Sequence, residues 1–249
     1  MSKDKFVEMT LLDHLTELRK RLMWSLLYIF LIFLICFYFA GDLFAFLAHP
    51  LVNLLDKDSG QGFIYTALQE AFLTELKIAF FFALFFSFPL IAIQIWKFIA
   101  PGLYKHEKIA ILPYLVLTPV LFFLGGMLVY YLIMPLAIKF FLSFESSGLS
   151  TNLPIQLEAK VNEYLSLVMK LIFAFGISFQ LPVVLSLLAR VGVVDSEFLK
   201  KRRKYVVVII FAAAALLTPP DPITQIGLAI PLLILYELSI FSVKFIENK

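Results

Sequence analysis

Cysteine is almost missing from this chain: Cys36 is the only one in 249 residues, and it lies inside an apolar run. An internal disulfide and any multi-cysteine metal cluster are excluded. The three histidines, His14, His49 and His106, fall in separate segments. His106-Glu107 has no second histidine at the spacing a zinc helix needs, so no metal site is expected. Charge is also scarce, at 16% of residues, where soluble domains carry about a quarter. No Gly-x-Ser-x-Gly, His-Glu-x-x-His or phosphate loop occurs, and no pair of aspartates lies within an apolar run. Neither an enzyme nor a resident cofactor is expected.

What is present is apolar. Hydrophobic residues make up 61% of the chain and the mean hydropathy is +0.94. Hydrocarbon offers the backbone no hydrogen bonds, so apolar runs of roughly 20 residues cross a bilayer as helices. The runs predict an all-α integral membrane protein with six spans, at about 22–40, 72–98, 109–134, 164–189, 205–217 and 223–243, forming a single polytopic domain over 1–249. About twenty polar and amphipathic residues precede the first run, so no cleavable signal peptide is expected.

Basic residues collect in alternate gaps. Lys3, Lys5, Arg19, Lys20 and Arg21 precede the first run. Lys97, Lys105 and Lys108 lie between the second and third, and Arg190 and Lys200 to Lys204 lie between the fourth and fifth. Lys244 and Lys249 follow the sixth. Cationic loops stay cytoplasmic, so both termini are expected inside. The same bias accounts for the sequence pI of about 8.8 without a nucleic-acid partner.

The fifth run, Tyr205 to Leu217, covers only about 20 Å against a hydrocarbon core of about 30 Å, and the last two spans are expected to be short. Either its ends snorkel and the helices shift, or the mismatch thins the bilayer. Prolines inside the second, third, fourth and sixth runs predict bent helices, which build a curved wall more readily than a tight parallel bundle. The segment from Asp42 to Leu55 reads as an interfacial amphipathic helix capping the bundle.

Two cytoplasmic segments carry the chemistry. Before the first run, Thr10 and Asp13 resemble a capping box. Leu11, Leu15, Leu18 and Leu22 share one helical face, so an amphipathic helix feeds directly into the span. Glu17 is spaced to pair with Arg21 one turn later, as an ordinary surface pair would. In the second cytoplasmic loop, Ala-Pro-Gly closes one helix, and Glu107 near the start of the next complements its dipole. Within the spans the polar residues are Gln94, Thr118, Lys170, Gln180, Gln225 and Glu237. Lys170 is placed to snorkel or pair, and Glu237 to answer the basic fourth loop.

Four stretches together resemble the TatC family, the multispanning receptor and core subunit of the twin-arginine protein translocase. They are His14-Leu-Thr-Glu-Leu-Arg-Lys-Arg-Leu22, Phe98-Ile-Ala-Pro-Gly-Leu-Tyr-Lys-His-Glu107, Phe175-Gly-Ile-Ser-Phe-Gln-Leu-Pro182, and Leu217-Thr-Pro-Pro-Asp-Pro-Ile-Thr-Gln225 with Ala229-Ile-Pro231. The resemblance covers the whole chain, with the stretches in the family's order. It implies a glove-like bundle of six helices with cytoplasmic termini, in the cytoplasmic (inner) membrane of a bacterium.

The resemblance also implies that Glu17 and Glu107 read the paired arginines of a signal peptide on a folded preprotein, with Leu18, Arg19, Phe98 and Tyr104 shaping the patch. Thr218, Asp221 and Gln225 match positions that contact the single-span partners TatA and TatB. Read without the family, these residues form a proline-rich helix stop with Asp221 exposed. Transport would be driven by the proton-motive force, and self-association in the complex is expected. Many family members have Glu where this chain has Gln180, which stays polar on the concave face but cannot titrate. A small-solute transporter would call instead for a midplane site on broken helices or paired intramembrane charges. An intramembrane hydrolase would need a nucleophile and a base.

Overall fold

The computed structural model describes residues 11–55, 62–99, 105–145, 157–218 and 221–247, without the side chains of 11, 99 and 105–112. Helix α1 (Leu11–Tyr38) turns at Phe39 into α2 (Ala40–Val52), and α3 (Glu70–Ile99) runs back. Helix α4 (Lys105–Leu128) continues through a π-helical turn, Val129–Ile133, into α5 (Met134–Leu142). Then come α6 (Val161–Ser178), α7 (Leu181–Arg190), α8 (Ser196–Leu217) and α9 (Pro222–Glu247). Two-residue strands, β1 (Phe63–Ile64) and β2 (Ala159–Lys160), pair in parallel, with Phe63 opposite Ala159 and Ile64 opposite Lys160.

Five segments are long and apolar enough to cross a membrane: Leu12–Tyr38, Glu70–Phe98, Pro113–Leu142, Val161–Arg190 and Pro222–Glu247. The first follows the sequence reading and two others differ from it. The amphipathic start and first apolar run are one continuous helix, α1, whose face of Leu15, Leu18 and Leu22 is left exposed by the rest of the chain. The fourth run is two helices. Proline has no N–H, so Pro182, in the first turn of α7, cannot donate to the Ser178 carbonyl, and the helix breaks at Phe179 and Gln180. The last helix is not short: α9 has 26 residues, because Lys244 to Glu247 continue it past the apolar run.

Helix α8 has 22 residues, about 33 Å at the helical rise, and reaches well beyond the apolar stretch. The Asp195 carboxylate caps it by accepting from the Phe198 N–H at 2.5 Å, so Lys200 to Lys204 are helical too. That basic half keeps α8 out of the five apolar segments. Arg203 on α8 pairs with Glu237 on α9 at 2.6 Å, the partnership the basic fourth loop predicts for Glu237. Lys170 donates to the Leu216 carbonyl at the far end of α8, at 3.3 Å.

The main core is shared by α2, α3, the π-helical turn, α5, α6, α8 and α9, and α4 packs against α3 and α6 beside it. Phe122 is fully buried and stacks on Phe88, with centroids 3.7 Å apart and planes 10° apart. Phe85 tilts against Phe122, and Phe81 meets Phe173 edge-on at 5.1 Å. Helices α4 and α6 approach closely because glycine lines the crossing. A Cβ on Gly125 would sit 2.8 Å from the Phe175 carbonyl oxygen, and one on Gly176 would sit 2.7 Å from the Phe122 ring.

Helix α2 covers one end of this core, with Leu47 and Leu51 buried beneath it. Pro50 cannot donate to the Phe46 carbonyl one turn back, and the Tyr130 hydroxyl donates to it instead at 2.8 Å. The Tyr164 hydroxyl donates to the adjoining Leu47 carbonyl at 3.0 Å. Helix α1 is mostly exposed and packed almost entirely on α3, reaching the core near its end through Cys36, with Ile32 and Phe33 against it.

Candidate functional site

The antiparallel contact of α1 with α3 builds a small polar site at the end of the bundle that carries the start of α1. One helical turn separates Glu17 from Arg21, so both project from one face of α1, toward Gln94 on α3. Arg21 Nη2 donates to Glu17 Oε1 at 3.0 Å. Arg21 Nη1 donates to Gln94 Oε1 at 3.4 Å, across 73 residues of sequence. The Glu17 side chain is only 16% exposed and that of Arg21 26%, so this is not the fully solvated pair that spacing alone suggests. Glu17 Oε2 and Arg21 Nε are buried with no hydrogen-bond partner among the described residues. A buried carboxylate oxygen without a donor is costly, so the site is poised to take one.

Aromatic packing holds the two helices in register one turn further out. The His14 ring stacks on Phe98, with centroids 4.3 Å apart and planes 22° apart. Phe98 is therefore beside the Glu17 site. Leu18 and Arg19 are exposed on other faces of α1. Arg19 lines an open groove with Thr16, Lys20, Met23, Trp24 and Leu27. Glu107 lies near the start of α4, at the same end of the bundle, since Trp96 of α3 packs on Tyr114 of α4. Its side chain, and Tyr104 altogether, lie outside the described residues, as does Thr10 of the expected capping box.

The other expected positions fall into two separate places. Gln180, in the turn between α6 and α7, donates through Nε2 to the Thr118 carbonyl at 2.9 Å and the Gly176 carbonyl at 3.4 Å. Its Oε1 and the Thr118 hydroxyl are buried without partners. Thr218, Asp221 and Gln225 sit where α8 gives way to α9. Asp221 is 3% exposed, which corrects the reading of an exposed helix stop. Its Oδ1 accepts from the Thr224 N–H at 2.7 Å and its Oδ2 from the Thr224 hydroxyl, so it caps α9. The Thr218 hydroxyl donates to the Ala214 carbonyl at 2.9 Å, and Gln225 Nε2 to the Phe211 carbonyl at 3.4 Å. No group of three or more potential metal ligands occurs among the described residues.

Sequence reasoning named Arg21 only as a counter-ion and Gln94 only as a polar residue in a span, and it set His14 aside with the metal question. The signal available was the Glu17–Arg21 spacing together with an amide one turn from Phe98. Their convergence depends on which face of α1 meets α3, which periodicity does not specify.

The family model for the Sec-independent protein translocase protein TatC matches residues 13–231. A TatC protein of Magnetococcus marinus is 51% identical over 249 residues, covering 100% of this chain and 89% of that protein. TatC of Escherichia coli K12 is 39% identical over 239 residues, covering 96% of this chain and 90% of its own length. A crystal structure of the twin arginine translocase receptor TatC superposes with a TM-score of 0.77 at 39% identity, covering 93% of this chain and 98% of that one. On this evidence the chain belongs to the TatC family, as a multi-pass protein of a bacterial inner membrane and a transport component rather than an enzyme.

Proposed function

We propose that this chain is the signal-peptide receptor of a twin-arginine translocase and the core on which its translocon assembles. The observation that carries the reading is Glu17: a mostly buried carboxylate with one unpartnered oxygen, beside Phe98, at the mouth of the α1–α3 contact. Arginine is planar, permanently charged and able to bond a carboxylate through two donors, whereas lysine is a compact, strongly hydrated point charge. Glu107 supplies the second carboxylate. Two carboxylates give each arginine of the pair its own acceptor. Leu18, Arg19 and Tyr104 are assigned to the patch by their place in the matching motifs.

In this reading the basic segments face the cytoplasm, both termini are inside, and the apolar half of α8 is a sixth, short span in a glove-like bundle. Thr218, Asp221 and Gln225, at the α8–α9 junction, meet TatA- and TatB-type single-span subunits. Copies of this chain associate in the complex, and the proton-motive force drives transport. Gln180 contributes a polar, non-titrating group to the concave face.

The test is binding of a synthetic signal peptide carrying Arg-Arg, against a Lys-Lys version, to the detergent-solubilised protein. Preference for Arg-Arg, lost when Glu17 and Glu107 are both replaced by alanine, supports the reading. Equal capture of both peptides, or capture that survives both substitutions, overturns it.

A further inference from the structure

Glu17 is not empty in the resting protein; a guanidinium already sits on it. Arg21 Nη2 occupies Oε1 at 3.0 Å, and Arg21 is tied back to α3 through Gln94 at 3.4 Å. We propose that Arg21 is a specificity-determining positioning residue: a resident cation that neutralises Glu17 and leaves Oε2, buried and without a donor among the described residues, as the acceptor an incoming guanidinium must reach. The inference rests on the receptor reading above and deepens it.

The argument is electrostatic and geometric. A carboxylate offers two oxygens and about four lone-pair sites, and Arg21 takes one of them. What remains is Oε2, buried and without a donor, and the second lone pair of Oε1. Because the Glu17–Arg21 pair carries no net charge, a second cation gains little from simple attraction to it. The ligand must instead be chosen by the direction of its donors. A guanidinium fork can donate to Oε2 and to the free side of Oε1 together. An ammonium group approaches as a point charge, loses more hydration and finds no net charge to repay the loss. The Arg21 hydrogen bond to Oε1 also restrains the carboxylate rotamer, so the position of Oε2 is held.

Removing Arg21 while keeping Glu17 therefore leaves a charged, freely rotating carboxylate that accepts any cation. Binding of the Arg-Arg and Lys-Lys peptides to the full detergent-solubilised chain is compared for the unsubstituted protein, Arg21→Gln and Arg21→Lys, across a salt series. Arg21→Gln is expected to lower the Arg-Arg over Lys-Lys preference about tenfold, chiefly by tighter Lys-Lys binding, and to steepen the salt dependence as charge replaces geometry. Arg21→Lys, which keeps a cation on Oε1, is expected to recover much of the preference.

An unchanged peptide ratio in Arg21→Gln overturns the inference, even if both affinities fall together, because a merely structural role predicts that pattern. Arg21→Met is the second variant should Arg21→Gln not yield folded protein, and failure of both to fold overturns it as well. An unsubstituted protein with no Arg-Arg preference overturns the receptor reading itself. That outcome is read before any variant is made.

Discussion

The His14 imidazole lies on the face of Phe98, with ring centroids 4.3 Å apart and planes 22° apart. This contact joins the first turns of α1 to the last turn of α3, and the polar triad of Glu17, Arg21 and Gln94 follows directly inward. Since α1 is packed on little but α3, the α1–α3 contact as a whole sets where Glu17 stands relative to the rest of the bundle.

Replacing Glu17 by alanine should weaken binding of an Arg-Arg signal peptide without unfolding the protein. A hydrogen bond to a charged group contributes roughly 1.5–3 kcal/mol, which corresponds to about a 10- to 150-fold loss of affinity. Peptide binding by fluorescence anisotropy reads the loss, and an unshifted thermal transition shows that the fold is retained. Glu17 lies outside the main core, so a large drop in melting temperature would contradict this assignment.

The tyrosine that replaces a missing backbone donor gives a sharper test of the fold. Tyr130→Phe should cost about 1–3 kcal/mol, because the Phe46 carbonyl loses the hydroxyl that serves it in place of Pro50. Adding Pro50→Ala supplies an N–H one turn along α2 and should recover part of that loss. A double-mutant cycle from thermal unfolding in detergent measures the coupling, and strict additivity would show that the hydroxyl does not stand in for the N–H that Pro50 lacks.

At the crossing of α4 and α6, Gly125→Ala should destabilise by about 1–3 kcal/mol, since the new methyl group meets backbone, which cannot move aside as a side chain would. Gly41→Ala is the control. Nothing lies within 4 Å of a Cβ there, and alanine in a helix gains about 0.5–1 kcal/mol over glycine. Equal melting temperatures for the two variants would mean that the close approach is not a constraint on packing.

Asp221→Ala should lose the cap on α9 and cost about 1 kcal/mol, whereas Asp221→Asn keeps an oxygen for the Thr224 N–H and should cost less. Thermal unfolding ranks the two. If partner contact is the only role of Asp221, both variants will unfold like the unsubstituted protein while losing the partner.

Much of this was legible in the sequence, for reasons that differ by residue. Runs such as Phe72 to Phe98 mark a membrane helix because the bilayer core cannot hydrogen-bond a backbone, and α3, Glu70–Ile99, covers that run. The pairing of Arg203 with Glu237 follows from a basic loop facing an acid at the end of the last helix. The break at Gln180 was half legible: Pro182 announces a disturbance, but whether a proline bends a helix or ends it depends on what neighbouring helices offer the freed groups.

The sequence by itself determined the class of protein, its apolar segments and the likeness to the TatC family. Hydropathy, charge order and short motifs are local properties, and each can be read without knowing which helices touch. That Arg21 reaches Gln94 across 73 residues, that one oxygen of Glu17 is buried without a partner among the described residues, and that Asp221 is buried as a cap came from the packing of the helices. Those facts depend on which face of each helix meets its neighbour. In an apolar sequence nearly every face is equally greasy, so periodicity does not choose among them, and the packing of rings and glycines does.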